Sequence, residues 1–260
     1  MGGLLYNFHQ NLDFSVNAGT SFRLPTAIEL GANGIHHGSF RHEQGNPDLN
    51  SEKGFVIDTK LNYSKNSFNA SVSPYLYYFK NYIFLNPSGE FSILPHAGQI
   101  YKFTQTSALL SGVEISLNKT FAEKWKTLFS FEYLYTKQIN KDRSKNFPLP
   151  FTPPINGYAE IGYEFLKRSK TFNNAEFFSN VTFAFRQERI AQNEEITPGY
   201  SLLGGGFRTR VNMNGFKTTI NLQATNIFNI KYYNHTSFYR ALKIPEMGRN
   251  IQLMIKIPFK

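Results

Sequence analysis

The sequence contains no cysteine and no long hydrophobic run. The absence of cysteine excludes a disulfide framework, a thiolate zinc site and a cysteine nucleophile. No segment approaches the roughly 20 consecutive apolar residues of a membrane-spanning helix, so a helical membrane protein is excluded. The first residues, MGGLLYNFHQNLD, are too polar for a secretory signal peptide. A membrane protein built from strands stays open, because each strand needs only about 9–11 residues of alternating character.

Acidic residues are also few, whereas aromatic residues are abundant. The 260 residues include 18 Asp and Glu against 28 Lys and Arg, which gives a net charge of +10. Phenylalanine and tyrosine, with 26 and 15 copies, make up nearly all of the 16% of aromatic residues. Disordered chains lack such large apolar side chains, so this composition indicates an ordered protein.

Side-chain character alternates with a period of two along most of the chain. Near the end, Ile251, Leu253, Ile255 and Ile257 alternate with mostly polar neighbours. Successive residues of a strand point to opposite faces of a sheet, so this pattern predicts strands with one apolar and one polar face. No long segment has the spacing of an amphipathic helix. The same alternation covers residues 113–117, 129–135, 159–165, 181–185 and 220–224. The chain is therefore predicted to be all-β.

About eleven segments show this alternation, and the connections between them are alternately short and long. We predict strands at about 3–10, 12–22, 53–64, 68–84, 100–118, 125–138, 156–167, 174–188, 199–212, 216–232 and 247–259. Short polar connections, such as 65–67 and 213–215, alternate with long ones at 24–52, 85–99, 139–155, 189–198 and 233–246. Short turns at one end and long loops at the other are typical of an antiparallel up-and-down transmembrane β-barrel.

A soluble β-sandwich or a large soluble barrel also shows alternating strands. The high content of Phe and Tyr on the apolar side favours lipid and its interfacial belts. The opposite side carries charged residues in mid-strand, including Asp58, Glu132 and Glu164. The unequal connections, in addition, favour the membrane barrel over its soluble alternatives.

Five segments occur in the order and at the spacing found in one family of outer-membrane proteins. They resemble the conserved segments of TonB-dependent outer-membrane receptors, and the resemblance covers nearly the whole chain. The segments are FRLPTAIEL at 22–30, with Arg23, Pro25 and Glu29; GNPDLNSE at 45–52, with Asn46, Pro47 and Glu52; GVE at 112–114; ATNIFN at 224–229, with Asn226, Phe228 and Asn229; and GRN at 248–250, with Gly248 and Arg249. The family usually ends on an aromatic residue, whereas Phe259 here precedes a terminal Lys260.

The resemblance implies a 22-stranded barrel around an N-terminal plug domain. With about eleven strands, residues 1–260 would form the C-terminal half of the barrel, and the plug would be absent from this chain. The implied function is uptake of a scarce ligand, such as a ferric siderophore, haem or another metal chelate, across the outer membrane. The implied partners are outer-membrane lipid, the imported ligand and the TonB energy-coupling complex, which acts through the missing plug. No resident cofactor is expected.

The first long connection contains the best candidate ligands for a metal. His36, His37 and His42, with Glu43 beside them, offer the imidazole and carboxylate groups that zinc and iron prefer. The competing interpretation is a solvated loop whose histidines bind nothing. Arg23 and Glu29 are expected to form a structural ion pair that fixes the loop.

Four arginines near the ends of predicted strands form a second candidate site. Arg186, Arg189, Arg208 and Arg210 are expected at the outer ends of two strands, where they would favour an anionic ligand or meet lipid headgroups and solvent.

Other classes of function have less support. The sequence has no nucleophile elbow, no HExxH and no phosphate-binding glycine loop, so we expect no catalytic residues and no enzyme. A soluble all-β module that binds nucleic acid or another ligand is the alternative, because the pI is near 9.6 and aromatic residues are interleaved with basic ones. The basic residues are scattered along the chain, however, so nucleic acid is not expected as a partner.

Overall fold

The computed structural model describes residues 1–213 and 216–258, which form one antiparallel sheet with long connections at one end. One short helix, α1 (Ala27–Gly31), lies in the first of these connections. In chain order the strands are β1 (Gly2–His9), β2 (Leu12–Arg23), β3 (Asn33–His36), β4 (Arg41–Gln44), β5 (Glu52–Lys65), β6 (Phe68–Phe91), β7 (Gln99–Phe121), β8 (Trp125–Ile139), β9 (Asn156–Arg168), β10 (Phe172–Ala184), β11 (Tyr200–Met213), β12 (Phe216–Thr225) and β13 (Asn250–Lys256). Single 3-10 turns occur at His37–Ser39, Arg143–Lys145 and Phe238–Leu242. No helix among the described residues is long and apolar enough to cross a bilayer.

The main sheet confirms the predicted up-and-down order. Eleven strands pair with their neighbours in the order β1-β2-β5-β6-β7-β8-β9-β10-β11-β12-β13, and all of these pairings are antiparallel. The two remaining strands belong to the first long connection, for which the sequence predicts no strand. Strand β4 pairs with β3 and lies parallel to the outer end of β7.

Several strand ends differ from the sequence prediction. Strand β10 ends at Ala184, and beyond it only an isolated bridge joins Gln187 to Thr197. Strand β12 ends at Thr225 because Asn226 adopts a positive φ of 49°, which breaks an extended chain. Strands β6 and β7 are longer than expected, with 24 and 23 residues. A bilayer needs about 9–11 residues of a strand, so these two strands project beyond it.

The two ends of the sheet differ as the sequence indicates. The connections after β1, β5, β7 and β9 have two or three residues, whereas those after β2, β6, β8, β10 and β12 have seven or more. Two sequence predictions lie outside the described residues, namely the turn at 214–215 and the closing aromatic Phe259.

The strand register separates an apolar face from a polar one. Leu117 pairs with Phe129, which pairs in turn with Ala159, and this row continues into Val181 and Leu203. The neighbouring row, one residue along each strand, is polar and contains Ser116, Ser130, Tyr158 and Thr182. Side chains that pair across strands lie on the same face, so both faces are continuous across the sheet.

The apolar face is exposed on the isolated chain. Phe177 is 58% exposed and Leu253 is 60% exposed, and such side chains recur on most strands. A soluble protein rarely exposes an apolar surface of this size. The exposed face therefore fits lipid and does not favour the soluble alternatives.

An aromatic row follows the apolar face near the short turns. Phe121, Trp125, Tyr163, Phe177 and Phe207 pair in sequence across β7 to β11. The rings of Trp125 and Tyr163 are 4.7 Å apart, and those of Phe177 and Phe207 are 5.3 Å apart. Such rows form the interfacial girdles of membrane barrels.

A glycine run in β11 permits close approach to both neighbouring strands. A Cβ on Gly206 would overlap the carbonyl oxygen of Leu222 in β12, and a Cβ on Gly205 would lie 2.7 Å from the carbonyl oxygen of Phe178 in β10. Neither contact involves the movable end of a side chain, so a larger residue would have to displace a strand.

We expect Gly206→Val to destabilise the folded barrel by about 1–3 kcal/mol, the usual cost of overpacking. The measurement is the temperature at which the complete receptor loses its compact, fast-migrating form. Samples are heated to increasing temperatures and then separated on an SDS gel. Gly34→Val in β3 is the matched control, because a Cβ there meets nothing within 4 Å. Equal melting temperatures for the two variants would contradict this account.

Candidate functional site at the long-loop end

The first long connection is fixed by an ion-pair group at its beginning and end. Arg23, the last residue of β2, donates to Glu29 at 2.9 Å and approaches Glu52, the first residue of β5, at 3.4 Å. Glu52 also accepts from the backbone N–H of Ile83 at 2.9 Å. The expected pair between Arg23 and Glu29 is present, and together with Glu52 it joins the beginning of the connection to its end.

Helix α1 begins with a capping box that uses the same glutamate. Thr26 accepts from the backbone of Glu29, and the Glu29 side chain accepts from the backbone N–H of Thr26 at 2.7 Å. Pro25 immediately precedes this cap. Burial raises the pKa of Glu29, but the bonds from Arg23 and Thr26 outweigh it, so the pKa lies below its ordinary value.

The GNP segment packs against the end of α1. Gly45 donates to the carbonyl of Ala32 at 2.6 Å, and the Asn46 N–H donates to the carbonyl of Glu29 at 2.8 Å. The Asn46 side chain then accepts from Asp48 at 2.9 Å, which turns the chain past Pro47 towards β5. These residues hold the loop in place.

The asparagines of the ATNIFN segment close the last long connection on itself. Asn226 accepts from the N–H of Ile230 at 2.8 Å and donates to its carbonyl at 2.9 Å. Asn229 accepts from the N–H of Arg249 at 2.9 Å, and its side-chain oxygen lies 2.5 Å from where a Cβ of Gly248 would be. The two ends of a connection of more than 20 residues are thereby joined.

Phe228, in the same segment, has a different environment. Its side chain is 69% exposed, and it takes no part in the asparagine bonds that close the connection.

The four candidate metal ligands are not brought together. His42 is buried, and its two ring nitrogens lie 2.9 Å from Ser92 Oγ and 3.0 Å from Asn33 Oδ1. Glu43 forms an ion pair with Arg41, His36 contacts Ser39 at 3.0 Å, and His37 lies in an exposed 3-10 turn. No group of three or more potential metal ligands occurs among residues 1–213 and 216–258. Metal capture by these residues stays a prediction.

Glu194 is the centre of a buried group that the sequence did not reveal. Its side chain is 3% exposed and accepts from the backbone N–H groups of Phe151 and Ala191, both at 3.0 Å. Arg240 lies 3.5 Å from one of its oxygens, and Nε2 of His235 lies 3.7 Å from the other. This carboxylate joins the connections that follow β8, β10 and β12.

The contacts of His235 determine its tautomer. Nδ1 lies 2.8 Å from Thr197 Oγ1 and 3.1 Å from a guanidinium nitrogen of Arg240. Arginine only donates hydrogen bonds, so Nδ1 accepts and the proton is on Nε2, which faces Glu194. Burial raises the pKa of Glu194, but the nearby His235 and the hydrogen bonds from the two backbone N–H groups outweigh it, so that pKa is lowered. Burial lowers the pKa of Arg240.

An aromatic cluster packs beside this group. The ring of Phe238 is 4.4 Å from that of Phe151 and 5.8 Å from that of Tyr101, and the Arg41 guanidinium stacks 3.8 Å above it. Tyr239 donates to the carbonyl of Gly38 at 2.5 Å. These contacts join the first and last long connections.

The connection after β10 also contacts β6, since Asn193 donates to the carbonyl of Pro87 at 3.0 Å. Together with the Glu194 group and the aromatic cluster, this bond packs the long connections into one hydrogen-bonded body.

Two of the four candidate arginines lie at the other end of the sheet. Strand β11 runs towards the short turns, so the expectation that Arg208 and Arg210 lie at the outer end was wrong. Arg208 bonds to Glu160 and Glu176 on the polar face. At the long-loop end, Arg189 stacks 4.0 Å from the ring of Tyr135, and Arg186 pairs with Glu188.

A depression of about 470 Å³ lies in the middle of the polar face, between β2 and β8. Tyr77 donates to Asp58 on its wall, and the rings of Tyr75 and Tyr77 are 5.1 Å apart. Glu114 adds a second carboxylate. Aromatic rings beside carboxylates offer stacking and hydrogen-bond acceptance to a polar solute.

A sheet with a lipid-facing apolar surface, a polar inner face and one packed end of long loops defines an outer-membrane β-barrel protein. The family model described as "TonB dependent receptor-like, beta-barrel" matches residues 1–230. The chain belongs to this family of outer-membrane receptors and transporters, which are not enzymes.

Solved structures of related barrels agree with the fold. The copper transporter OprC is 17% identical, with a TM-score of 0.76 over 97% of this chain and 38% of its own. The FrpB iron transporter from Neisseria meningitidis is 15% identical, with a TM-score of 0.68 over 97% of this chain and 37% of its own. The siderophore receptor PirA from Acinetobacter baumannii is 16% identical, with a TM-score of 0.63 over 99% of this chain and 40% of its own. The chain therefore spans less than half the length of these proteins.

We expect Glu194→Ala to release the long connections from one another. It leaves His235 and Arg240 buried without their carboxylate, which costs roughly 3–5 kcal/mol. Hydrogen exchange of the peptides around Phe151 and His235 should accelerate in the complete receptor. Glu195→Ala removes an exposed neighbouring carboxylate and is the control. Unchanged exchange in Glu194→Ala would contradict the role assigned to this residue.

The loops should also lose stability in acid. Glu29 and Glu194 have pKa values lowered from 4.5 in the folded protein. The unfolded loops therefore bind more protons, and the stabilisation is full above pH 4.5 and is lost as the pH falls below it. Limited proteolysis of the receptor at pH 7, 5 and 3 should show loop cleavage only at the lowest pH. Glu194→Gln should be cleaved to the same extent at pH 7 and pH 5. A sharp rise in its cleavage between these two values would show that a group other than Glu29 and Glu194 controls loop stability.

Proposed function

We propose that residues 1–260 form the C-terminal part of the barrel of a TonB-dependent receptor, and that its plug domain lies outside this chain. The receptor would import a scarce ligand such as a ferric siderophore, haem or another metal chelate. The observation that carries the proposal is the packing of the long connections into one body at one end of a sheet that faces lipid. Such a body is suited to form a defined binding surface at the extracellular mouth.

The structural neighbours support this class of cargo. They include a copper transporter, an iron transporter and a siderophore receptor. Energy would reach the ligand site through the plug and the TonB complex, as the family resemblance implies. The exposed apolar face does not favour the alternative of a soluble module that binds nucleic acid.

The polar face supplies a second surface for the ligand. The depression with Asp58, Tyr75 and Tyr77 lies on the wall that an imported solute would pass. We assign this wall a binding role and no catalytic role.

The histidines of the first connection are proposed as an accessory capture site. His36 and His37 are exposed, whereas His42 is held by Asn33 and Ser92 and serves the loop structure. His36→Ala/His37→Ala therefore tests metal capture with the loss of one exposed contact, between His36 and Ser39, and His96→Ala in another exposed loop is the control.

Uptake by whole cells tests the proposed function. Cells that lack the receptor should lose uptake of one radiolabelled probe among ferric siderophores, haem and copper, and the wild-type receptor should restore it. Glu194→Ala should lower uptake by about tenfold, which corresponds to about 1.4 kcal/mol of binding, whereas Glu195→Ala should not. Equal uptake of every probe with and without the receptor would overturn the proposed function.

A further inference from the structure

The positive charge of the chain is concentrated at the short-turn end of the sheet. The short turns, taken with four strand residues on either side, contain nine basic and two acidic residues. The long connections, counted with four strand residues on either side as well, contain fourteen basic and ten acidic residues, so a larger share of their charge cancels. The basic residues near the short turns are Lys65, Lys119, Lys124, Lys126, Lys167, Arg168, Lys170, Arg210 and Lys217.

On the polar face the charges form two tiers, of which the inner one is neutralised within the protein. Glu164 and Glu176 pair across β9 and β10 and are 5% and 3% exposed. Lys126 lies 2.5 Å from Glu164 and 2.9 Å from Glu176, and Arg208 lies 2.5 Å from Glu176 and 2.7 Å from Glu160. Every charge in this tier has an opposite partner.

The outer tier lies on the same strands, nearer the short turns, and contains no acidic residue. Arg168 of β9 and Arg210 of β11 are both register partners of Asn173 in β10. The two arginines are thus two strand spacings apart, about 10 Å, on one face. Lys217 pairs with Asn212 on the same face, two residues closer to the turn than Arg210.

An irregularity in β10 keeps both tiers on one face. The register shifts between Asn173 and Glu176, and Asn174 has a positive φ of 52°. Their partners are an even number of residues apart on both neighbouring strands, Arg168 and Glu164 on β9 and Arg210 and Arg208 on β11, so Asn173 and Glu176 lie on one face despite their odd spacing.

These residues line a cleft of about 650 Å³ at the short-turn rim. Its basic residues are Arg168, Lys170, Arg210 and Lys217, and asparagines at 173, 174 and 212 add neutral hydrogen-bonding groups. In the described part of the chain, none of the four cations has an acidic partner within 4.0 Å or a side-chain hydrogen bond. Like charges in such proximity repel, and an oxyanion would relieve that repulsion through charge-assisted hydrogen bonds.

We propose that this cleft is an anion-binding site for a phosphate group. Arg168 and Arg210 bind the phosphate oxygens from two sides, Lys217 and Lys170 supply point charges at the rim, and Asn173 donates from the floor between the arginines. The phosphate comes from free inorganic phosphate or from the headgroup of an anionic phospholipid in the leaflet beside the short turns. The site is separate from the long-loop end and does not depend on the cargo.

Binding to the complete receptor in detergent tests the proposal with two probes. Inorganic phosphate is titrated by calorimetry, and phosphatidylglycerol is titrated by native mass spectrometry with phosphatidylcholine as the uncharged comparison. Binding of inorganic phosphate identifies a free anion as the ligand, and binding of phosphatidylglycerol alone identifies the lipid headgroup. Affinity for either probe should fall as the salt concentration rises.

Two variants locate the site. Arg168→Gln/Lys170→Gln/Arg210→Gln/Lys217→Gln should weaken binding by roughly 100-fold, since charged hydrogen bonds contribute strongly. Lys141→Gln/Arg143→Gln/Lys145→Gln/Lys243→Gln removes four exposed charges at the long-loop end and should change affinity less than about twofold. The single variant Arg210→Gln should fold even if the quadruple variant does not, and should weaken binding by about tenfold. No binding of either probe to the wild type, or an equal loss in the control, would overturn the proposal.

Discussion

A strand in lipid has no water to satisfy its N–H and C=O groups, so each of these groups must pair with a neighbouring strand. This constraint explains the unbroken order of eleven antiparallel strands and the restriction of irregular backbone to the two ends. The constraint does not act beyond the bilayer, where β6 and β7 nevertheless continue their pairing. Their extensions give the long connections an ordered edge to pack on, and β4 uses that edge by pairing with β7.

At the long-loop end, buried backbone N–H and C=O groups find hydrogen-bond partners without forming a sheet. Long connections contain many backbone groups, and those buried by packing need partners. Glu194 supplies partners for Phe151 and Ala191 and neutralises Arg240, while His235 is held in one tautomer. The residues of the family motifs act similarly at the edges of connections, since Arg23, Asn46, Asn226 and Asn229 all bond to loop backbone or to loop-fixing carboxylates. These motif residues therefore stabilise the loops that they flank.

The sequence predicted the strands better than the site, for a physical reason. Alternation such as that of Ile251, Leu253 and Ile255 reflects a local rule, that successive side chains point to opposite faces, and it can be read from one segment. The Glu194 group has no local signature, because its partners come from three connections and lie up to 46 residues away. Adjacent Glu194 and Glu195 look equivalent in the sequence, yet one is buried and the other exposed. Arg208 and Arg210 were assigned to the wrong end, although the short connection predicted at 213–215 directly follows their strand and indicates the opposite one.

The distribution of charge changes the meaning of the net charge of +10. A basic protein of this class invites the interpretation that its mouth attracts anions through its field. Near the long connections, however, Arg23, Arg41 and Arg240 are neutralised by Glu29, Glu43 and Glu194, so part of the positive charge there is cancelled within the protein. Exposed cations without an acidic partner within 4.0 Å among the described residues, such as Lys141 and Lys243, also lie there, but at the short-turn end four cations share one cleft, on the polar face below the Lys126 and Arg208 ion pairs. In the proposed receptor, selection of a ligand at the mouth would then depend mainly on shape, aromatic contact and hydrogen bonding, while the proposed phosphate cleft would use electrostatic attraction at the opposite end of the barrel wall.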